Sequence, residues 1–191
     1  YHGEPKPLAA DARISDWPRF LGPSDNGATT EGPLLDSFPE EGLSKVWELE
    51  KGTGYTSPVI EEGRLVLFDR LDDEETVDCL DPMTGNRFWS YSYPVVYRDR
   101  YGFSNGPRAS AVIDSGKVYT LGVTSRLTCL DLRSGALLWE RDLSKEFDRA
   151  SFFFGHGSCP LVYEGKVIVP LGTADQWSVV AFDQHTGKIA W

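Results

Sequence analysis

The sequence predicts an all-β fold made of repeated antiparallel sheets, and an internal repeat carries this prediction. One motif occurs in three copies: CLDPMTGNRFW at residues 79–89, CLDLRSGALLW at 129–139 and AFDQHTGKIAW at 181–191. The turn glycines of successive copies are 135 − 85 = 50 and 187 − 135 = 52 residues apart. A period near fifty residues indicates one supersecondary unit per repeat, with neighbouring units stacked on a shared core.

Each repeat also contains two apolar runs upstream of this motif. The runs align without a gap as SPVIEEGRLVLF at 57–68, SAVIDSGKVYTL at 110–121 and CPLVYEGKVIVP at 159–170. Alternating apolar residues on both sides of a short glycine turn predict β-strands. In the first repeat we expect strands A to D at 57–60, 64–69, 76–81 and 86–91. Four strands in about fifty residues are typical of one β-propeller blade.

The motif itself has a structural interpretation. We expect each aspartate to accept hydrogen bonds from the turn amides and each glycine to take a positive φ. We expect each tryptophan to begin strand D and to fill the wedge between stacked blades. The motif residues are Asp81, Gly85 and Trp89, then Asp131, Gly135 and Trp139, then Asp183, Gly187 and Trp191.

A fourth tryptophan, Trp47, lies in a segment at 43–49 that resembles strand D without strands before it. In a closed propeller such a strand completes the last blade and removes open edges. We therefore expect an irregular segment at 1–42, a closing strand at 43–49, and blades at 56–91, 108–141 and 158–191. Since closed rings have about four to eight blades, we expect three blades to be a fragment of a longer protein.

The motif resembles the tryptophan-docking motif of the pyrroloquinoline-quinone (PQQ) repeat superfamily. This superfamily includes the quinoprotein alcohol dehydrogenases and the assembly lipoprotein BamB, and the resemblance covers residues 43–191. DWPRFLGP at 16–23 resembles the N-terminal segment of exported bacterial propeller proteins of this type. The resemblance implies a periplasmic or otherwise exported protein, although no signal peptide is visible in the sequence.

Charge and composition argue against several classes of binding partner. The formal net charge is −10, and Lys and Arg form no cluster, which argues against nucleic acids and anionic membranes as partners. No apolar run approaches the roughly 20 residues of a membrane span. The acidic run DRLDDEE at 69–75 lacks the spacing of a calcium loop, and we expect a solvated loop there. The acidic stretch at 142–149 is expected to form at most a single helical turn.

The three cysteines predict no disulfide framework. Cys79 and Cys129 share a repeat position that Ala181 occupies in the third copy, which predicts small buried residues there. Cys159 aligns with small serines, although a reactive Cys159 near His156 is the functional alternative. The flanking glycines favour His156 as a loop residue at the mouth of the ring.

Connection lengths predict which face binds. The A–B and C–D turns are tight and share one face, whereas we expect long D–A and B–C connections on the other. The D–A connections at 92–107 and 142–157 are rich in aromatic and basic residues. Long loops on one face of a repeat protein usually mark its binding face, although these aromatics could equally cover blade edges. The candidate binding residues are Tyr97, Arg98, Tyr101, Arg108, Phe153 and His156.

The resemblance leaves two functions open. Quinoprotein dehydrogenases hold PQQ with an adjacent cysteine pair, a tryptophan floor, a Ca²⁺ ion and a catalytic aspartate. This sequence has no Cys-Cys pair and no matching acidic constellation, and it yields no catalytic or metal-binding candidate. We therefore expect a non-catalytic, BamB-like platform without a cofactor, which binds protein or a small ligand at the long-loop face. The alternative is the N-terminal part of a dehydrogenase that uses PQQ and Ca²⁺.

Overall fold

The computed structural model describes residues 3–5, 7–8, 10–32, 35–147, 154–172 and 179–191, and it confirms the all-β prediction with three separate antiparallel sheets. The first sheet contains β1 (Val59–Glu61), β2 (Arg64–Leu71), β3 (Glu74–Leu80) and β4 (Arg87–Pro94). The second contains β5 (Val112–Asp114), β6 (Lys117–Leu121), β7 (Arg126–Asp131) and β8 (Leu137–Asp142). The third contains β9 (Leu161–Tyr163), β10 (Lys166–Pro170) and β11 (Val179–Asp183). Strands lie side by side in chain order, so the predicted A to D order is correct in the first two sheets.

The third sheet has three strands where four were predicted. Its fourth position is held by a bridge between Phe182 and Ile189. Two further hydrogen bonds run from Ala190 N–H to Ala181 O at 2.8 Å and from Ala181 N–H to Trp191 O at 3.0 Å. The chain therefore runs beside β11 as a D strand does, with a ladder too short to count as a full strand.

The sheets converge on one side, as blades around an axis do. β1 contacts β5, and β5 contacts β9, so the first strands of successive sheets adjoin. One core lies between the first two sheets and includes Val66, Phe68, Cys79, Ile113 and Leu130. A second core lies between the second and third sheets and includes Tyr119, Leu127, Cys129, Val167 and Phe182. Cys79 and Cys129 are buried and free, as predicted, and Cys159 is also free.

The prediction of a solvated loop at 69–75 is wrong. β2 and β3 continue through this run, and only Asp72 and Asp73 form the turn between them. Asp69, Arg70 and Glu75 are 4%, 7% and 0% exposed. These three charges are buried because protein groups bond to them: Gly52 N–H donates to Asp69 Oδ2 at 2.7 Å, and the partners of Arg70 and Glu75 are described below. The B–C connection is therefore tight here, contrary to the expectation that connections of this type are long.

The remaining predictions concern the segments around the sheets. A single helical turn, α1 (Leu143–Glu146), follows β8 and begins where the Asp142 carboxylate accepts from Lys145 N–H at 3.3 Å. No helix among the described residues is long and apolar enough to cross a membrane. Residues 43–49 form no β-strand, and Val46 O accepts a hydrogen bond from Gly3 N–H at 3.0 Å. The role of 43–49 as a closing strand stays a prediction.

Candidate functional site

Three tryptophans, Trp47, Trp89 and Trp139, are each docked on the C–D turn of the repeat that follows. The indole Nε1 of Trp47 donates to Pro82 O at 2.9 Å, and that of Trp89 donates to Leu132 O at 2.9 Å. The third dock joins Trp139 Nε1 to Gln184 O at 3.1 Å. The accepting carbonyl always belongs to the residue after the motif aspartate. The repeats are thus joined in series by one hydrogen bond at the same position.

The motif aspartates build the turns that receive these indoles. The Oδ1 atom of Asp131 accepts from Arg133 N–H at 3.1 Å and from Ser134 N–H at 2.8 Å. Asp81 and Asp183 cap their own turns in the same way. Hydrogen bonds from Ser134 lower the pKa of Asp131, and hydrogen bonds from Thr186 lower the pKa of Asp183. The predicted role of the aspartates is therefore confirmed by geometry.

The motif glycines have a second role that the sequence did not reveal. Gly85, Gly135 and Gly187 have φ values of 71°, 72° and 67°, as predicted for turn glycines. A Cβ atom at these positions would also lie 2.9, 2.6 and 2.7 Å, respectively, from the indole docked by the preceding repeat. The glycine therefore leaves space for the ring that approaches it. Trp191, at the same motif position, is 54% exposed.

A second repeated contact joins the inner strands and involves Cys159. Ser57 N–H donates to the hydroxyl of Ser110 at 2.9 Å. At the next junction the backbone of Ser110 is hydrogen-bonded to the thiol of Cys159, although burial still raises the pKa of that thiol. His156, the partner in the reactive alternative, is 1% exposed and contacts Ser125 Oγ through Nδ1 at 3.2 Å. Cys159 therefore has a blade-joining position equivalent to that of Ser110.

The D–A connection after the first sheet is held by a buried ion pair. Arg108 Nη2 lies 2.7 Å from Asp99 Oδ2, and the Asp99 side chain is 0% exposed. Asp99 Oδ1 also accepts from the amides of Tyr101 and Phe103 at 2.8 and 3.2 Å. The guanidinium of Arg108 lies 5.6 Å from the ring centre of Tyr97. These contacts fix the loop that carries most of the candidate binding residues.

Arg70, at the end of β2, supports the same loop from below. Its Nη1 donates to Tyr97 O at 2.9 Å and to Asn105 O at 3.1 Å. Its Nη2 lies 2.9 Å from Asp73 Oδ1 across the turn. A buried guanidinium is tolerated because these acceptors replace the water that it loses. Arg70 therefore holds the long loop, and its charge is paired with that of Asp73.

Glu75 is a buried carboxylate at the junction of the first two sheets. Its Oε1 accepts from Val123 N–H at 2.8 Å, and its Oε2 accepts from the hydroxyl of Tyr93 at 2.7 Å. Burial raises the pKa of Glu75 despite these two hydrogen bonds. The Arg126 guanidinium lies 4.5 Å from the ring centre of Tyr93. Glu75 connects β3 to the backbone of the next blade, and no pattern in the sequence indicates this contact.

The candidate binding residues divide into exposed and buried groups. Tyr101 is 57% exposed and Arg98 is also exposed, whereas Tyr97 and Arg108 are partly buried in the loop. His156 lies beneath the surface, and Phe153 is outside the described residues. Tyr101 instead adjoins two exposed rings that the sequence did not single out. We call this group the aromatic ledge, and its members are Tyr101, Phe103 and Phe154.

The aromatic ledge joins two D–A connections. The ring centre of Tyr101 lies 6.0 Å from those of both Phe103 and Phe154. Phe103 is 70% exposed and Phe154 is 48% exposed. The three rings form a surface that spans successive loops on the predicted binding face. Such a surface can contact a partner through flat apolar groups.

The described residues do not fit the PQQ and Ca²⁺ site that the resemblance implies. The three cysteines are not adjacent in sequence, so no Cys-Cys pair is present. Within the described ranges, no group of three or more His, Cys, Asp or Glu side chains could hold a metal ion. Glu75 and Asp99 are buried carboxylates near this face, and both are engaged in contacts within the protein.

Comparisons with known proteins place the chain among PQQ-like propellers. A family model described as outer membrane protein assembly factor BamB matches residues 73–191. Quinohemoprotein alcohol dehydrogenase of Comamonas testosteroni is 27% identical over 191 residues, which cover 94% of this chain and 26% of the relative. The 1-butanol dehydrogenase (cytochrome c) of Thauera butanivorans is 27% identical over 158 residues, which cover 79% of this chain and 22% of the relative.

The likeness extends to structure. The crystal structure of the Comamonas testosteroni quinohemoprotein alcohol dehydrogenase matches with a TM-score of 0.65 and 25% identity, covering 92% of this chain and 26% of that one. The chain therefore spans about a quarter of the length of these relatives. The family match includes more than half of the chain and all three tryptophan-docking motifs. The chain belongs to the PQQ-like repeat β-propeller family whose model is described as outer membrane protein assembly factor BamB.

Proposed function

We propose that this chain is part of a non-catalytic propeller that binds a protein or a small ligand on its long-loop face. The observation that carries the proposal is the aromatic ledge of Tyr101, Phe103 and Phe154. These rings are exposed, and two of them, Tyr101 and Phe103, belong to a loop that a buried ion pair, Arg108–Asp99, holds in place. A fixed loop that presents apolar rings reduces the entropy cost of binding a partner.

The charged groups beneath the ledge support a binding function over a catalytic one. Catalytic acids and bases need an accessible group that can exchange a proton with substrate. Glu75, Asp99 and Arg70 are buried in contacts with loop and strand atoms. We infer that they serve to hold the loops, and that the partner is recognised by the exposed rings above them.

Membership of the family supports the proposed location and partner class. The proposal places the protein in the periplasm or otherwise outside the cytoplasm, as for the exported members that the sequence resembles. The name of the matched family favours a protein partner. The names of the relatives favour the alternative, in which the chain is the N-terminal part of a quinoprotein dehydrogenase.

Cofactor reconstitution tests whether this chain carries a PQQ site of its own. The chain is mixed with PQQ and Ca²⁺, and binding is followed by calorimetry and absorbance. We expect no stoichiometric Ca²⁺-dependent binding and no dye-linked oxidation of alcohols, because the described residues lack the Cys pair and the metal ligands. Stoichiometric binding that requires Ca²⁺ would overturn the platform proposal in favour of the dehydrogenase.

The aromatic ledge is tested by comparing variants on the two faces. The double variant Tyr101→Ser and Phe103→Ser removes two rings of the ledge. Met83→Ser is the matched control, because Met83 is 49% exposed on the opposite, C–D turn face. After cross-linking in extracts of the source cells, we expect the wild type and Met83→Ser to retain the same partner and the double variant to lose it. Equal capture by all three proteins would contradict the proposal.

A further inference from the structure

The segment Asp16–Gly22, here called the strap, lies on the inner strands of the blades. Trp17 and Ile60 form an antiparallel bridge, with N–H to O distances of 2.8 Å from Trp17 and 2.9 Å from Ile60. Ile113 N–H donates to Pro18 O at 2.8 Å. Ile60 and Ile113 occupy the same position in β1 and β5, so consecutive strap residues contact equivalent residues of two blades.

The strap contacts the edge of each inner strand that faces away from its own sheet. Ile60 is paired with Leu65 of β2 on one side, so Trp17 must lie on the other side. β1 is the first strand of its sheet and adjoins β5, so this free edge faces the propeller axis. Without the strap, the free edge of such a strand would expose unpaired backbone N–H and C=O groups. The strap forms hydrogen bonds with some of these groups.

The end of the strap lies beside the third inner strand, across a shared cavity. Phe20 and Leu21 lie with Cys159 and Val162 around a cavity of about 220 Å³. Val162 is the residue of β9 that is equivalent to Ile60 and Ile113. From Trp17 to Leu21 the strap therefore passes the first, second and third blades in order, which is a path around the axis.

The strap lies near one end of the axis. Ile60 and Ile113 are close to the A–B turns, and Glu62 N–H in the first of these turns donates to Asp16 Oδ2 at 3.4 Å. The A–B turns are on the face opposite the aromatic ledge. The strap thus runs across the inner edges of the blades at the A–B turn end, opposite the long-loop face.

We propose that the strap closes the A–B turn end of the axial channel, so that the channel opens only towards the long-loop face. This inference does not depend on the proposed function, because it concerns the opposite end of the molecule. It assigns a role to the DWPRFLG sequence, which lies outside the repeats. A ligand or partner segment that enters the channel must then come from the side of the aromatic ledge.

The strap is held in this conformation by its own tryptophan and glycine. Gly22 has φ +76°, and a Cβ atom there would lie 2.8 Å from the Trp17 ring. Trp17 Nε1 also donates to Phe20 O at 3.3 Å. Gly22→Ala would therefore push the indole away from its position and weaken the bridge to Ile60. Gly42→Ala is the matched control, because Gly42 has φ +80° with nothing within 4 Å of a Cβ atom.

Two measurements on the full chain test pairing and closure. Amide hydrogen exchange reports whether Ile60 and Ile113 keep their bonds to the strap, with amides of β2 and β6 as internal references. A charged thiol reagent reports access to Cys159, while Cys79 and Cys129 are buried references. In Gly22→Ala we expect exchange at Ile60 and Ile113, and labelling of Cys159, to be about tenfold faster than in the wild type. In Gly42→Ala we expect both rates to stay within about twofold of the wild type.

Trp17→Ala is a second variant, which removes the indole without changing backbone strain and is expected to give the same accelerations. If neither rate changes in Gly22→Ala or Trp17→Ala, the strap does not pair with the inner strands and the inference is wrong. Faster exchange at the two amides without faster labelling of Cys159 would show that the strap pairs with the inner strands but does not close the channel. That result would also overturn the inference. Equal acceleration in Gly42→Ala would assign the effect to backbone strain alone.

Discussion

Gly187→Ala tests whether the docked indole explains the motif glycine. We expect this substitution to lower the free energy of unfolding by about 3 kcal/mol. Alanine at φ +67° costs about 1 kcal/mol. Its Cβ would lie 2.7 Å from the Trp139 ring, so the ring must move and lose its hydrogen bond to Gln184 O, at about 1 kcal/mol. Because Trp139 is only 9% exposed, its disturbed packing adds about 1 kcal/mol more.

A double-mutant cycle isolates the contact between the two residues. Trp139→Ala alone is expected to cost about 3–5 kcal/mol, as large aromatic truncations do. With the ring absent, Gly187→Ala should cost only about 1 kcal/mol, so the coupling energy is about 2 kcal/mol. Gly165→Ala is the control for backbone strain, because Gly165 has φ +73° with nothing within 4 Å of a Cβ atom. Urea unfolding of the variants gives these energies. Additive costs, or equal costs for Gly187→Ala and Gly165→Ala in the wild-type background, would refute the reasoning.

Two further predictions concern ionisable groups. Asp131→Ala is expected to cost about 1–2 kcal/mol at neutral pH, less than Trp139→Ala, because turn amides lose their acceptor. Since hydrogen bonds from Ser134 lower the pKa of Asp131, this deficit should be present above the ordinary aspartate value and shrink as the pH falls through the lowered one. Urea unfolding of the wild type and Asp131→Ala at about pH 7 and about pH 2 would measure this loss of stability. An equal loss at both pH values would contradict the view that the ionised carboxylate of Asp131 stabilises the turn. Burial raises the pKa of Glu75, so wild-type stability should fall as the pH rises from the ordinary glutamate value through the raised one. Glu75→Gln keeps an acceptor for Val123 N–H without the charge, so it should gain stability relative to the wild type across that window. A difference that is constant with pH would count against this explanation.

The sequence predicted the local structure of the repeats because that structure depends on short-range rules. Alternating apolar residues placed the first strands within a few residues of β1 to β4. The motif aspartate and glycine predicted the turns correctly, since the aspartate accepts from amides two and three residues later and the glycine takes a positive φ. The same rules failed at 69–75, where a run of charges was interpreted as exposed. Arg70 is buried because its acceptors, Tyr97 O and Asn105 O, come from a loop about thirty residues later in the chain.

The long-loop binding face stays a prediction, and the structure decides only which of its candidate side chains are exposed. Loop lengths pointed to the D–A connections, yet they could not separate exposed side chains from buried ones. Arg108 pairs with the buried Asp99, and His156 lies against Ser125, so both face inward. Phe103 and Phe154 contact Tyr101 from two different loops. No sequence pattern predicts that these three rings are in contact, because the distance between the two loops depends on how adjacent blades pack.

By itself the sequence determined the repeat, its period, its strands and the turn that ends each motif. These features follow from periodicity and turn chemistry, which act within a single repeat. Only the tertiary structure decided where each tryptophan docks, that Glu75 bonds to the next blade at Val123, and that the strap lies on the inner strands. Each of these contacts joins residues from different repeats or from outside them. Their geometry exists only once the blades are stacked, because stacking brings together groups that no local rule relates.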